Sequence, residues 1–429
     1  MASAPSLFDE YRWRGMLHDV TEGAKEAFES GPQAAYVGFD PTASSLHVGH
    51  LLPIMGLVHL QRAGHTPIAL VGGGTGLIGD PSGKTQERQL LTRAQSEENA
   101  RAVRDQLARF LDFQGVSNPA VLVDNLEWLG GMQVLDYLRD VGKHFSVNIM
   151  LRKDTVKRRI AEDGPGISYT EFSYLLLQSY DFLRLFEDRT CRFQFGGSDQ
   201  WGNITGGIDL IRRVTGERAY GVTFPLITTS SGVKFGKTEA GAVWLDPART
   251  SPYRFYQFWL RTEDSDVGRY LRFFTLLPQS EIEALEASAA ANPERREAQR
   301  ALAEDVTRRV HGEAGLARAQ AASDALFGGE LDALERDEIL DIFGDVPSHS
   351  VAPSVLEGDG ILAVELLADS GLVGSRGEAR RALEQGGIYV NNARLTDAGA
   401  RITRAEALHG QFVVLRKGKR SFHLVQVEG

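Results

Sequence analysis

The chain has 429 residues, 42% of them hydrophobic and 24% charged, with a formal net charge of −10. That length exceeds one ordinary domain, the balance is that of a globular protein, and the acidic surplus excludes a protein that coats nucleic acid with its whole surface. A lone Cys191 excludes an internal disulfide and a cysteine-based zinc site, and no stretch is apolar enough for a membrane span or a secretory signal, so a cytoplasmic enzyme with no membrane partner is expected.

In chain order, Ala34–Phe39 reads as a buried strand, followed by a turn at Asp40, Pro41 and Thr42 and a helical run over 46–63. A second apolar strand over 67–71 feeds the glycine-rich loop 72–79; helical patterns fill 94–113, and Val121–Asp124 is a third strand. The alternation predicts an α/β, Rossmann-like parallel sheet over 1–247, with ligands at the carboxyl ends of its strands. Beyond it, 248–327 has a helical composition divided by Pro293 and Gly312, 328–360 reads as a linker, and 361–429 as a small α+β domain. Residues 376–429 hold ten Lys/Arg against five Asp/Glu, a net of +5 that leaves −15 for the rest, and suggest a local grip on a polyanion.

Five segments carry candidate chemistry. His47 and His50 stand at i and i+3 where a helix begins, a place of free backbone N–H groups that seats phosphate, and Gly49 lets a flat ring approach the backbone. The run from Gly79 to Thr85 imitates a phosphate loop but has three residues between its glycines where that motif has four, which excludes a P-loop NTPase. Its Lys84, and Arg88 beyond it, remain candidate cations for a closing loop. Lys234 and Lys237 around Gly236, with Thr238 following, suit a flexible clamp on polyphosphate. In the apolar helix that starts at Tyr169, the residues Tyr174, Gln178 and Asp181 form one polar stripe, and a buried carboxylate needs partners. Finally Gly196 and Gly197 precede Asp199 and Gln200, a pattern that brings backbone close to a ribose; alone it equally fits an ordinary turn.

Taken together, and with the run from Tyr36 to Thr42 before the first histidine, these segments resemble the class I aminoacyl-tRNA synthetases, specifically the bacterial-type tyrosyl-tRNA synthetases. His47–His50 is similar to the first signature motif and 234–238 to the second in degenerate form, with Phe235 and Gly236 in place of Met and Ser. The resemblance implies that Tyr36 and Asp181 hydrogen-bond a substrate phenol. Asp80, Tyr174 and Gln178 would hold its ammonium group, and Gln200 its carboxylate or the reacting centre. ATP would be taken by Asp40, Gly49, Gly197, Asp199 and Thr238, its ribose on Asp199. Thr42, His47, His50, Lys84, Arg88, Lys234 and Lys237 would line the triphosphate, with Mg2+ accompanying ATP and no dedicated metal site. Partners implied are L-tyrosine, tRNA(Tyr) and a second copy of the chain. The terminal domain resembles a small RNA-binding fold, in which Arg376, Arg380, Arg381, Arg394, Lys417, Lys419 and Arg420 would grip tRNA. A tryptophanyl-type synthetase is the nearest enzyme alternative, and a non-catalytic RNA-binding protein the alternative of another class.

Overall fold

The computed structural model describes residues 6–82, 91–161, 164–230, 232, 235–238, 241–325, 329–332, 334–344, 346–418 and 421–428. The expected positions Lys84, Arg88, Lys234, Lys419 and Arg420 lie outside them, and for Lys237 and Thr238 only the backbone is described. The chain divides into two compact units, Met1–Asp246 with Thr262–Leu302 and Pro247–Arg261 with Ala303–Gly429.

The first unit is built on five strands, β1 (Ala34–Phe39), β2 (Thr66–Val71), β3 (Val121–Asp124), β4 (Cys191–Gly197) and β5 (Tyr220–Phe224). Their order is β3-β2-β1-β4-β5 and every pairing is parallel. Apolar residues run almost unbroken along them because helices cover both faces. The chain leaves β1 toward β2 on one side and returns to β4 on the other. The β1/β4 junction is therefore the switch point at which loops splay apart and open a crevice.

The helix Leu51–Arg62 joins β1 to β2, and the segment Val48–His50 before it is a tight 3-10 turn. The histidines thus sit just ahead of the α-helix rather than in it. Pro53 falls in the first helical turn, where a missing N–H costs nothing. The helix Tyr169–Arg189 crosses the sheet; Ser168 caps it by accepting from the Glu171 N–H.

The helical stretch 248–327 does not hold together as one body. The helix Asp264–Phe274 belongs to the first unit, because Arg14, buried there, donates to the carbonyls of Arg272, Thr275 and Leu277 at 2.8–3.0 Å. As the sequence suggests, Pro293 opens a 3-10 turn and Gly312, at φ 74°, interrupts the helix Glu297–Ala325.

After the short hairpin of β6 (Lys237–Thr238) and β7 (Gly241–Ala242) come β8 (Ser348–Val351), β9 (Ile361–Leu362), β10 (Ile388–Val390), β11 (Ala393–Leu395), β12 (Arg401–Ile402), β13 (Phe412–Lys417) and β14 (Ser421–Val427). In the second unit five of these form a mixed sheet, β11-β10-β13-β14-β8. The stretch 328–360 is therefore more than a linker: its helix Arg336–Phe343 buries Ile339 and Phe343, and β8 pairs in parallel with β14. The sequence hides β8 because an edge strand of Ser, His, Ser and Val needs only one buried face. Among the described residues no helix is long and apolar enough to cross a membrane.

Candidate active site

Along β1 and β4 side chains alternate between the two faces of the sheet. Phe193 and Phe195 pack with Phe28 on one face, while Tyr36 meets Phe182 of the Tyr169–Arg189 helix on the other, ring centroids 5.4 Å apart. Tyr36 is in register with Gln194 on β4 and Ile68 on β2. Two residues further toward the carboxyl edge, β1 and β4 carry Gly38 and Gly196. The face has a floor of Tyr36 and Gln194, then a step at which Gly38 leaves room while Gln200 and Ile204 pack over Gly196, then Asp40 at the rim.

The floor holds two unsatisfied groups: Tyr36 Oη and Gln194 Oε1 are buried without a hydrogen-bond partner. Buried polar atoms are rarely left so, and a site that expects a ligand hydroxyl is one place where they are. Asp181 stands close enough for its charge to add to the burial that drives the Tyr36 phenol well above its ordinary pKa. Asp181 itself is 2% exposed. Burial pushes its carboxyl up to about 7, against the opposing pull of hydrogen bonds from Asn125 and Trp128.

A continuous network runs from this floor to the rim. Trp128 Nε1 donates to Asp181 Oδ1 at 2.7 Å and Asn125 Nδ2 to Asp181 Oδ2 at 2.9 Å. Asn125 also donates to Thr75 Oγ1 (2.9 Å) and accepts from the Gly74 N–H (2.7 Å). Thr75 Oγ1 then donates to Asp40 Oδ1 at 2.7 Å, and Tyr174 Oη to Asp40 Oδ2 at 2.8 Å. Gly72 permits this: a Cβ there would fall 2.0 Å from Asp40 Oδ1.

Beside it lies a second cluster. Gln200 Nε2 donates to Asp80 Oδ2 at 2.7 Å, while Asp80 Oδ1 accepts from the Ser82 N–H. Asn203 Nδ2 reaches Gln178 Oε1 at 3.0 Å and Gln200 Oε1 at 3.2 Å. Asp80, Gln178 and Gln200 are thus gathered from three separate segments.

At the other side of the crevice the histidine rings lie 4.0 Å apart, centroid to centroid. His47 Nδ1 accepts from the Gly49 N–H, and His50 Nδ1 from the His47 N–H. An accepting Nδ1 puts the proton of a neutral ring on Nε2, so both are set as Nε2–H donors. A Cβ on Gly49 would come within 2.7 Å of His47, which requires glycine. The second motif is tied to this turn: the Val48 N–H donates to the Val243 carbonyl, and the Val243 N–H to the Gly236 carbonyl. Gly236 has φ 79°, and a side chain there would collide with Val48 at 2.6 Å. Phe235 is buried against Tyr270 and Phe274. The departures from Met and Ser therefore have local reasons, an aromatic seat and a left-handed turn. Thr42 and Asp199 are exposed at the rim, and Gly197 ends β4 where a Cβ would crowd Asp199 Oδ1.

The structure brings Tyr36, Asp40, Asp80, Tyr174, Gln178, Asp181 and Gln200 into the two adjoining clusters. It adds Thr75, Asn125, Trp128, Gln194 and Asn203, which the sequence reading missed. Asn125 had a signal, since it directly follows a strand at the ligand-bearing edge. Gln194 had one as well, a lone amide inside an aromatic strand.

In the second unit Arg376, Arg380 and Arg381 lie exposed on the helix Arg376–Glu384. Arg376 pairs with Glu365 at 2.9 Å and Lys417 with Glu378 at 2.7 Å, while Arg394 Nε donates to the Gly386 carbonyl. Asn391 and Asn392, in left-handed conformation, hold the β10–β11 turn through bonds to Val414, Ala325 and Gly329. They serve the fold.

Residues 29–328 match the model of the class I tRNA synthetases (W and Y), and residues 338–425 that of the tyrosine--tRNA ligase SYY-like C-terminal domain. A tyrosine--tRNA ligase of Roseiflexus castenholzii is 56% identical over 422 residues, covering 98% of this chain and 99% of its own. That of Geobacillus stearothermophilus is 51% identical at 98% and 99% coverage. The crystal structure of a C-terminally truncated mitochondrial tyrosyl-tRNA synthetase from Aspergillus nidulans superposes with a TM-score of 0.68, at 32% identity, over 76% of this chain and 95% of that one. The chain therefore belongs to the class I tRNA synthetases of the tryptophan and tyrosine group, and within it to the tyrosine–tRNA ligases.

Proposed function

We propose that the crevice binds L-tyrosine with its ring over Gly38, its hydroxyl between Tyr36 and Asp181, and its ammonium group among Asp80, Tyr174 and Gln178. The enzyme activates tyrosine with ATP and transfers it to tRNA(Tyr). In the first step a tyrosine carboxylate oxygen attacks the α-phosphorus, the bond to the β-phosphate oxygen breaks, and pyrophosphate leaves. The attacking carboxylate is already ionised, so positioning and charge stabilisation carry the step. The Nε2–H groups of His47 and His50 donate to phosphate oxygens. Thr42 meets the phosphates with its hydroxyl and Lys84, Arg88, Lys234 and Lys237 complete the cationic rim, while Asp40, Gly49, Gly197, Asp199 and Thr238 hold the nucleoside side, the ribose on Asp199. Gln200 contacts the substrate carboxylate. In the second step a terminal ribose hydroxyl of tRNA attacks the mixed anhydride, forming the ester and releasing AMP. The side chains described at the triphosphate end are a hydroxyl and two imidazoles whose Nδ1 atoms are engaged by backbone N–H groups, leaving Nε2–H donors suited to phosphate. Mg2+ is accordingly read as part of the ATP it accompanies.

The observation that supports this reading most is the partnerless Tyr36 hydroxyl beside Asp181, one pleat repeat below Gly38. Phenylalanine would leave those polar groups unpaired. ATP–pyrophosphate exchange with each of the twenty amino acids is the test: tyrosine alone should support it, and exchange driven by tryptophan would overturn the assignment.

We also read 248–327 as lying along the anticodon region and 361–429, with Arg376, Arg380, Arg381, Arg394, Lys417, Lys419 and Arg420, as a grip on tRNA. The protein works as a cytoplasmic homodimer. Val134 (71% exposed), Leu135 (77%) and Tyr169 (72%) belong to an apolar surface between 134 and 169 of the kind that a second copy covers. Sedimentation at micromolar concentration tests this; a monomer would refute it.

A further inference from the structure

Inside the first unit lies a charge pair that the reaction does not use. Arg159, on the helix Asp154–Ile160, and Glu171 meet at 2.7 Å with side chains 4% and 1% exposed. Arg159 Nε also donates to the Gly166 carbonyl at 2.6 Å, and the Gly166 N–H returns to the Arg159 carbonyl at 2.9 Å. The guanidinium thus grips the chain on both sides of Ser168, the cap of the Tyr169–Arg189 helix.

Energetically the pair is a poor bargain as mere packing. Desolvating two charges is recovered only when their remaining hydrogen-bonding positions are filled, and apolar side chains of like volume often serve stability as well. Here Arg159 Nη1 and Glu171 Oε1 remain without partners. What apolar replacements would not supply is direction. Glu171 stands three residues before Tyr174, so Glu171, Tyr174, Gln178 and Asp181 form one stripe at i, i+3, i+7 and i+10. Fixing Glu171 therefore fixes the rotation and axial position of the helix that presents the other three. The tolerance is small, because Tyr174 Oη must stay 2.8 Å from Asp40.

We propose that Arg159 and Glu171 are positioning residues for tyrosine recognition, which hold the first turn of this helix so that Tyr174 and Gln178 meet the substrate ammonium group. This rests on the assignment of the ammonium site given above. The effect is confined to the ammonium end, because Asp181 is independently anchored by Asn125 and Trp128.

The test replaces both charges, Arg159→Met with Glu171→Leu, so that no buried ion is stranded. Arg159→Lys serves as the milder variant: it keeps the charge but cannot span Gly166 and Glu171 together. KM for tyrosine and for ATP come from pyrophosphate exchange. Binding of tyramine and of 3-(4-hydroxyphenyl)propionate, which lacks the ammonium group, is measured by competition. The expected result is a KM for tyrosine raised about tenfold, with KM for ATP within about twofold. Tyramine should weaken in parallel and the propionate should not, with Arg159→Lys intermediate. Equal weakening of tyramine and propionate, or an unchanged tyrosine KM in Arg159→Lys and in the folded double variant, would reduce the pair to a structural one. Tyr174→Phe separates the two claims: if it leaves the tyrosine KM unchanged, the ammonium site itself is misassigned.

Discussion

Lowering the pH from 8 to 6 should weaken tyrosine binding about tenfold, through Asp181 alone. Its two oxygens each accept one bond, from Trp128 and from Asn125, and each retains capacity for another. In the proposed site the substrate hydroxyl donates into that capacity, so tyrosine selects the ionised carboxylate. In the free enzyme burial holds the carboxyl at about 7. Below that value the group carries a proton, which must leave before the hydroxyl can donate. Binding is thus strongest above the raised pKa and is lost as pH falls through it. The apparent dissociation constant scales as 1 + 10^(7 − pH), about 1.1 at pH 8 and about 11 at pH 6, worth roughly 1.4 kcal/mol. Isothermal titration of tyrosine without ATP, in two buffers of different ionisation enthalpy, reads both the affinity and the proton count. About 0.9 proton should be released per site at pH 6 and about 0.1 at pH 8. Asp181→Asn should bind weakly with no such slope. A dissociation constant that stays flat from pH 6 to 8, or the same slope in Asp181→Asn, would refute the reasoning.

Asn125→Ala removes one of Asp181's donors and the tether to Gly74, and should raise the tyrosine KM by about 1–3 kcal/mol of binding with ATP affinity nearly unchanged, as steady-state exchange would show. Gly236→Ala places a Cβ in a left-handed turn against Val48, and should slow adenylate formation at least about tenfold in stopped-flow measurements while sparing tyrosine affinity. Arg380→Glu with Arg381→Glu should weaken tRNA binding and flatten its salt dependence by about two phosphate contacts in filter binding, leaving pyrophosphate exchange intact. Val134→Asp with Leu135→Asp should turn the proposed dimer into monomers on sedimentation.

The sheet was legible because its strands are buried on both faces and read as apolar runs: β1 and β3 fall on the residues expected. So was the stripe on the Tyr169–Arg189 helix, since helical spacing alone puts Tyr174, Gln178 and Asp181 on one side. What connects them was not. Asn125 meets Asp181 across 56 residues, and Gln200 meets Asp80 across 120. Such encounters are set by the order of strands in the sheet, which no local pattern encodes. Nor did composition reveal that the Asp264–Phe274 helix joins the first unit: besides the Phe235 contacts it is moored by a buried arginine, Arg14, which in sequence looks like any charge on an N-terminal helix.

The alternation along β1 also acts as a ruler. From Tyr36 to Gly38 the strand advances two residues, about 6.6 Å, and on the placement proposed for tyrosine this single pleat repeat sets how far its side chain descends before it meets a hydroxyl. On that placement selectivity for length is written into the backbone spacing as well as into the Tyr36 side chain. An insertion or deletion of one residue in β1 would do what no point change can, turning Val37 toward the substrate and Tyr36 away from it.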